Sequence, residues 1–412
     1  MKLLIFSAYY EPEVAASLYL STNLYEDMAE SGINARLYVP LPTRGVTDED
    51  RKKYRGKVEY KINNNLEIIR LNIPKEKKSP IIRALRYLWM NILFVFKSNK
   101  YDADAIFVQS TPPTQGAMAA LIKKHKKIPF IYNLQDVFPD SMVGAGLTTE
   151  KSLLFKIGRL IENYTYKNAD CIIVISNDIK NNIIKKGVSE NKIIVIPNWI
   201  DSNLVHPISR QENYLFEKYK ISREKFIVVY AGNLGYAQNI EVIIEAAKKL
   251  QDNELIQFVV FGKGAQEEEY KKQADGLRNL VFLPIQPYSE VSYVYSLGDA
   301  SIVPCKRGFG GSAMPSKTWS IMASGTPVLA SFDSDTDLEK LIKKEEFGLF
   351  SLSEDADGLI KNILTLFNNP NLKKQMGENA RKYVQSNLSR KKCTYQYIEA
   401  VKRICAEERA KR

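Results

Sequence analysis

Residues 308–331 read GFGGSAMPSKTWSIMASGTPVLAS, and the architecture of the second half of the chain follows from them. Gly308, Gly310 and Gly311 form a loop free to take conformations closed to other residues. A helix is expected from about Pro315 to Ser324, then a short buried strand, Val328–Ala330. Proline suits a first helical turn, where its missing N–H has no partner to lose. Gly325 falls just past the end, where glycine suits the left-handed turn. The spacing predicts backbone N–H groups pointing outward at the helix start, beside the positive end of its dipole, which is an anion site. Lys317 lies in that first turn, where a cation opposes the dipole. A lysine placed against its own helix fits a phosphate ligand; the bland alternative is a surface lysine on an ordinary helix.

Outward from this stretch, strand-like runs alternate with helical ones. In the second half the expected strands are Phe226–Ala231, Gln257–Phe261, Leu280–Leu283, Ala300–Pro304 and Val328–Ala330. In the first half they are Leu3–Ser7, Ala35–Val39, Glu67–Leu71, Ala105–Gln109, Pro129–Leu134, Cys171–Ile175 and Ile193–Ile196. These runs are short, apolar and β-branched with little alternation, as in a parallel sheet covered on both faces. The pattern predicts an α/β protein of two doubly wound Rossmann-like domains, 1–205 and 214–387. A polar, proline-containing break at 197–213 joins them. Residues 40–65 read as a long irregular excursion. The tail, 388–412, reads as a helix with an apolar stripe at Tyr397, Val401 and Ile404, packing back on the first domain.

Ligands of open α/β sheets bind beyond the carboxyl ends of the strands. Gly232–Gly235 follows one strand of the second domain, Gly262–Gly264 the next, and the 308–317 loop a third. Three such loops converging on one place point to a nucleotide.

Composition narrows the field. The four cysteines are scattered with no Cys-x-x-Cys pair, which indicates neither a zinc site nor a disulfide framework. Two histidines, His125 and His206, exclude a histidine-rich metal site. The start, MKLLIFSAYYEPE, reads as a strand rather than a secretion signal, and the expected compartment is reducing cytoplasm. The net charge is +12, and residues 44–100 hold 15 Lys/Arg against 6 Asp/Glu. In that region SPIIRALRYLWMNILFVFKSNK, 79–100, places Ile81, Leu85, Leu88, Ile92 and Phe96 at helical spacing. Arg83 and Arg86 interrupt the run, leaving it too short to span a bilayer. A basic amphipathic helix of this kind can lie among anionic headgroups; the alternative is a core helix with one wet face. No aromatic-basic motif or recognition helix points to nucleic acid.

Several segments carry a family resemblance. YYEPEVAASLYLSTNLYEDMAESG, VISNDI, IPNWID, YAGNLGYAQNIEVIIEAAKKL, FVVFGKG, DASIVP and PSKTWSIMASGTPVLAS occur in an order and spacing that resemble the retaining glycosyltransferases of family 4. That family has the GT-B fold, two Rossmann-like domains facing across a cleft. LQDVFPDS together with PSK resembles the branch that builds bacterial O-antigen and capsule polysaccharides, and within it transferases of an N-acetylated amino sugar such as N-acetyl-fucosamine. The resemblance implies a nucleotide-sugar donor, UDP-linked, and an undecaprenyl-diphosphate-linked saccharide acceptor. It places the enzyme in the cytoplasm, peripheral on the inner face of the membrane, with no cofactor.

Carried over residue by residue, the donor side is Asn233, Gly235, Gly262, Lys263, Gln286, Ser312, Ser316, Lys317 and Ser320. Two family glutamates separated by seven residues are here Ser312 and Ser320, and the 233–239 loop lacks the Arg and Lys that grip the diphosphate. Lys317, with Lys263, is then expected to steady the leaving diphosphate. Asp136, with Asp140 as the alternate, is expected at the acceptor hydroxyl or the reacting carbon, though either could instead cap the following turn. Glu11, Ala15, Ala16 and Ser17, after the first strand, are expected to face the acceptor or the donor phosphates. No metal is expected: Asp333-Ser334-Asp335 has the spelling of a metal motif but reads as a helix cap. A sugar-nucleotide 2-epimerase and an inactive nucleotide-sugar-binding partner are the competing readings. The first would need more histidines and carboxylates than the chain offers; the two serines keep the second open.

Overall fold

The computed structural model describes residues 1–13, 18–77, 79–144, 146, 148–312 and 314–410. The chain divides into two compact units. One comprises Met1–Ser141, Thr148–Pro197 and Arg390–Arg412; the other comprises Met142–Leu147 and Asn198–Ser389.

The first unit is built on eight strands: β1 (Lys2–Phe6), β2 (Asn34–Pro40), β3 (Val58–Lys61), β4 (Leu66–Leu71), β5 (Ala105–Gln109), β6 (Phe130–Leu134), β7 (Cys171–Val174) and β8 (Ile193–Val195). Their order is β3-β4-β2-β1-β5-β6-β7-β8, parallel except for the edge strand β3, which runs antiparallel to β4. β5, β6 and β7 are buried nearly throughout because helices cover both sheet faces, which is why their sequences do not alternate. The helices Pro80–Ser98, Thr114–Lys126 and Leu153–Asn168 pack in a row on one face, as right-handed crossovers require for this strand order. The helix Leu18–Glu30 lies on the other, against the final helix Arg390–Ala410.

The second unit carries six strands: β9 (Phe226–Asn233), β10 (Ile256–Lys263), β11 (Leu280–Leu283), β12 (Ala300–Pro304), β13 (Val328–Phe332) and β14 (Gly348–Leu352). All are parallel, in the order β11-β10-β9-β12-β13-β14. Val228, Phe258, Ile302 and Leu329 belong to one core layer, and Ile227, Phe261, Val303 and Ala330 to the other.

Three expectations change. Residues 40–65 are not an irregular excursion. They form the helix Asp48–Lys53, capped by the Thr47 hydroxyl accepting from the Asp50 N–H, and then β3. β3 escaped notice because its faces are half wet and its sequence, VEYK, is polar. β14 was not foreseen either; GLFSL alternates weakly and opens on a glycine. An added Cβ at Gly348 would lie 2.0 Å from the Val328 carbonyl oxygen, so only glycine lets the edge strand close on β13. Finally, the 198–213 segment is no free linker but part of the second unit, which moves the boundary from 205 to 197. Arg381 donates to the carbonyls of Ser202 and Val205 at 2.7 Å each, and Ile200 N–H donates to Leu388 at 3.0 Å.

The Arg390–Ala410 helix begins with Arg390 paired to Asp27 at 2.7 Å and buries Cys393, Tyr397 and Val401. The Tyr397 hydroxyl donates to Asn133 Oδ1 at 3.2 Å, reaching β6. Tyr397→Ala should lower the unfolding free energy of this unit by about 3–5 kcal/mol, read by hydrogen exchange of β5 and β6 amides.

Candidate functional site

In the second unit the chain order reverses between β9 and β12: β10 and β11 lie on one side, β13 and β14 on the other. Such a reversal leaves a crevice beyond the strand ends that no connection covers. The loops around it are drawn together by glycines. An added Cβ at Gly264 would lie 2.3 Å from the Leu234 carbonyl oxygen, and one at Gly262 would lie 2.6 Å from the Leu234 side chain. With those atoms absent, Leu234 N–H donates to the Lys263 carbonyl at 3.1 Å and Gln266 N–H to Leu234 at 2.9 Å. Lys306 N–H reaches the Ala237 carbonyl at 3.0 Å, tying the loop after β12 to the same place.

Lys317 enters this crevice. Its Nζ lies 4.1 Å from the centre of the Tyr230 ring, and an added Cβ at Gly232, which has φ +154°, would lie 2.9 Å from that nitrogen. Gly232 therefore leaves room for the ammonium. Desolvation pushes the Lys317 pKa down to about 7, opposed only by Cys305. Burial holds the Cys305 thiol up at about 12, so at neutral pH it supplies no negative charge. A half-buried ammonium without an anion is costly, and here it is relieved in part by the Tyr230 π face.

The 308–317 stretch itself differs from expectation. The helix runs Lys317–Ala323, with Ser316 as its cap residue, so Pro315 stands outside it. Thr318 N–H donates to the Pro315 carbonyl at 3.0 Å and Trp319 N–H to Ser316 at 3.2 Å. Ser316 already has helical φ and ψ, which tightens the entry turn and uses these two N–H groups internally. The anion attraction thus rests on the Lys317 side chain rather than on the helix start. The glycine loop is also closed. The Asp333 carboxylate accepts from Gly308 N–H and Gly310 N–H, each at 2.8 Å, and from the Ser353 hydroxyl at 3.2 Å. Asp333 is not a helix cap; the next helix, Asp337–Glu345, is capped by the Thr336 hydroxyl.

The other donor-side candidates spread out. Asn233 ends β9, with its amide 3.3 Å from Gln238 Oε1, and Lys263 ends β10 exposed to solvent. Gly235 opens the turn after β9, its carbonyl taking the Tyr270 hydroxyl at 3.3 Å. Gln286 follows β11 and is engaged by Tyr219 at 2.9 Å and Lys218 at 3.3 Å. Ser316 is exposed, Ser320 is buried in the Lys317–Ala323 helix, and Ser312 sits in a single 3-10 turn, Gly310–Ser312, with its side chain outside the described set.

In the first unit, Asp136 stands just beyond β6 and is exposed. Crowding by the surrounding protein raises its pKa, opposed by the Ser141 hydroxyl and the Val137 N–H, and solvent access limits the rise. Asp140 is committed elsewhere. Its two oxygens meet Arg159 and Lys186 at 2.5 Å each, and Glu162 shares both cations, so this carboxylate anchors structure. Glu11 is paired with Lys61, and its carbonyl accepts from Arg70 at 2.6 Å. Ala15, Ala16 and Ser17 lie outside the described residues.

Two polar groupings went unread in the sequence. Asn133, buried on β6, donates to Gln109 on β5 at 2.9 Å and accepts from Gln135 at 2.9 Å, making a part-buried amide ladder across the carboxyl ends of β5 and β6. Its signal was there: amide residues interrupt two apolar runs near their carboxyl ends. Buried Glu13 accepts from the Thr43 and Arg44 N–H groups at 2.7 and 3.1 Å, pinning the loop after β2. No local pattern marks it.

Comparison with known proteins bears on the fold and on the class of reaction. Residues 21–204 match the family described as "Glycosyltransferase Family 4", and residues 211–383 match "Glycosyl transferases group 1". A relative from Escherichia coli (strain K12), described as "Putative colanic acid biosynthesis glycosyl transferase WcaI", is 25% identical over 98% of this chain and 100% of its own length. The sucrose-phosphate synthase of Thermosynechococcus elongatus superposes with a TM-score of 0.75 at 17% identity, over 98% of this chain and 99% of that one. HepE of Anabaena, solved in complex with UDP, gives a TM-score of 0.72 at 14% identity, over 98% and 100% of the two chains.

Asp333→Ala would leave the buried Gly310 N–H without its acceptor and release the exposed Gly308 N–H to water. It is expected to cost about 1–3 kcal/mol in the second unit and to accelerate hydrogen exchange at those two amides first.

Proposed function

We propose that this chain, a glycosyltransferase of the GT-B fold, is a retaining, metal-independent enzyme of bacterial surface polysaccharide synthesis. It takes a sugar from a UDP-sugar and places it on an undecaprenyl-diphosphate-linked saccharide. The sugar moved is an N-acetylated amino sugar, on the strength of the LQDVFPDS and PSK segments. Both halves matching glycosyltransferase families support the reaction class, the WcaI relative supports the polysaccharide setting, and the UDP complex of HepE supports the donor.

The observation that carries the reading is Lys317, an ammonium with no counter-charge among the described residues, at the chain reversal of a nucleotide-binding type of sheet. A diphosphate supplies what the site lacks. As the bond between the anomeric carbon and the diphosphate oxygen breaks, negative charge grows on the leaving group, and a preplaced cation steadies it most at that moment. The acceptor oxygen forms the new bond and gives up its proton. Asp136, beyond β6 and with its proton affinity raised, is the carboxylate proposed to assist it. The helix Pro80–Ser98 turns Ile81, Leu85 and Phe96 outward, which supports peripheral contact with the membrane holding the acceptor. Among the described residues no helix is long and apolar enough to cross a bilayer.

The test is incubation with UDP-sugars and membrane extract, with release of UDP that requires the extract as the expected result. Isomerised UDP-sugar without extract would mark an epimerase instead, and binding without turnover an inactive partner. Lys317→Ala should abolish transfer with the fold intact, and Asp136→Asn should lower turnover at least a hundredfold while UDP-sugar binding persists.

Lys317 also sets a pH dependence. Its pKa in the free protein is about 7, and a bound diphosphate raises it, so binding takes up a proton. UDP-sugar affinity should be flat on the acid side, where the ammonium is already formed. It should fall by up to about tenfold per unit as pH rises beyond that free-state pKa. Lys317→Gln should bind weakly with a flat profile, read by calorimetry in buffers of different ionisation enthalpy.

A further inference from the structure

The outward apolar face of Pro80–Ser98 does not end with that helix. Thr114–Lys126 packs beside it, and Leu153–Asn168 packs beside Thr114–Lys126 in turn. Leu153, Leu154, Ile157 and Leu160 recur at one-face helical spacing, and all are exposed, Leu153 at 73% and Leu160 at 69%. The opposite side of that helix is buried at Gly158, Glu162, Thr165 and Tyr166, so the leucines are not its core face. Leu121, 54% exposed, stands on the helix between. Apolar side chains thus continue across three adjacent helices of one unit, a spread far beyond the scattered exposure normal for a protein surface.

Charge says what covers it. Pro80–Ser98 and Thr114–Lys126 hold no carboxylate, and Leu153–Asn168 holds one, Glu162, buried and paired with Arg159 and Lys186. Lys100, Lys124, Lys151 and Lys156 are exposed around the same three helices. Glu150 and Asp102 are exposed at the ends of these segments, but the helices themselves turn no carboxylate outward. An apolar face on which lysines outnumber acids is complementary to an anionic bilayer, whose acyl boundary takes the leucines while its phosphates take the lysines.

We infer that Leu153–Asn168 is a second membrane-inserting helix, so that the first unit docks on anionic lipid through a three-helix face rather than through Pro80–Ser98 alone. The inference rests on the peripheral-membrane part of the proposed function and extends it. A three-helix face fixes the unit's orientation on the membrane, whereas a single helix leaves it free to roll about its axis.

The test is co-sedimentation with vesicles of equal parts phosphatidylglycerol and phosphatidylcholine. The variants are Leu153→Ser/Leu160→Ser on the one helix and Ile81→Ser/Leu85→Ser on the other. Each is checked for an unchanged melting temperature and unchanged UDP-sugar binding. Each double variant is expected to lower partitioning at least tenfold, and pure phosphatidylcholine to bind the parent protein more weakly than the mixed vesicles. If Leu153→Ser/Leu160→Ser partitions like the parent while Ile81→Ser/Leu85→Ser does not, the second helix stays dry; the inference fails and the peripheral reading survives. If the parent binds no vesicle, both fail. If the parent is dimeric in solution and Leu153→Ser/Leu160→Ser makes it monomeric, a second copy covers this face and the inference is overturned.

Discussion

The half-buried ammonium of Lys317 organises the second unit. Taking a charge out of water is expensive, and proteins usually answer it with a counter-ion nearby. Here the answer is a tyrosine ring and a protonated thiol, neither of which carries a negative charge. The glycine at the end of β9, the reversal of strand order beside it and the stitched loops above it all leave space around that nitrogen. Stability alone would not select such an arrangement. The proposed role accounts for it: a site that attracts a diphosphate and then releases it is better served by a cation without a permanent carboxylate partner, which would compete with every substrate.

The contrast with Asp333 sharpens this. A few residues away the same unit brings backbone N–H groups together at a glycine loop, the other common way to hold an anion. That place is filled by the chain's own carboxylate. Two anion-seeking features therefore have opposite fates: one is satisfied from within and becomes scaffold, the other is left wanting and is the proposed site. Asp140 follows the first course in the other unit, bound on both oxygens by Arg159 and Lys186, while Asp136 stays accessible.

Much of this was legible in residues. The unalternating β-branched runs marked the parallel strands to within a residue or two, because a sheet buried on both faces leaves no room for polar positions. Lys317 stands out in the sequence because a lysine in a first helical turn contradicts local preference, and the structure sets its ammonium against Tyr230 and Gly232. What escaped has a common physical cause. β3 and β14 are edge strands, half wet, and borrow their order from a neighbour. The Asp333 clasp joins β13 to a loop more than twenty residues earlier, a partnership no local pattern encodes. The leucines of Leu153–Asn168 have the periodicity of a core helix, and sequence cannot say which of two apolar-looking faces is turned inward.

A lysine whose pKa burial draws down to about 7 carries more free amine at neutral pH than the ordinary lysines around it, and the free amine is the nucleophile. In a chain this rich in amines, Lys317 should be among the first to react with a sparing dose of an acylating or carbamylating reagent. It should be hidden from that reagent whenever phosphate oxygens surround it. The feature that makes the site receptive thus also makes it chemically conspicuous, and a mass spectrum of lightly labelled protein becomes a gauge of occupancy that needs neither sugar nor acceptor.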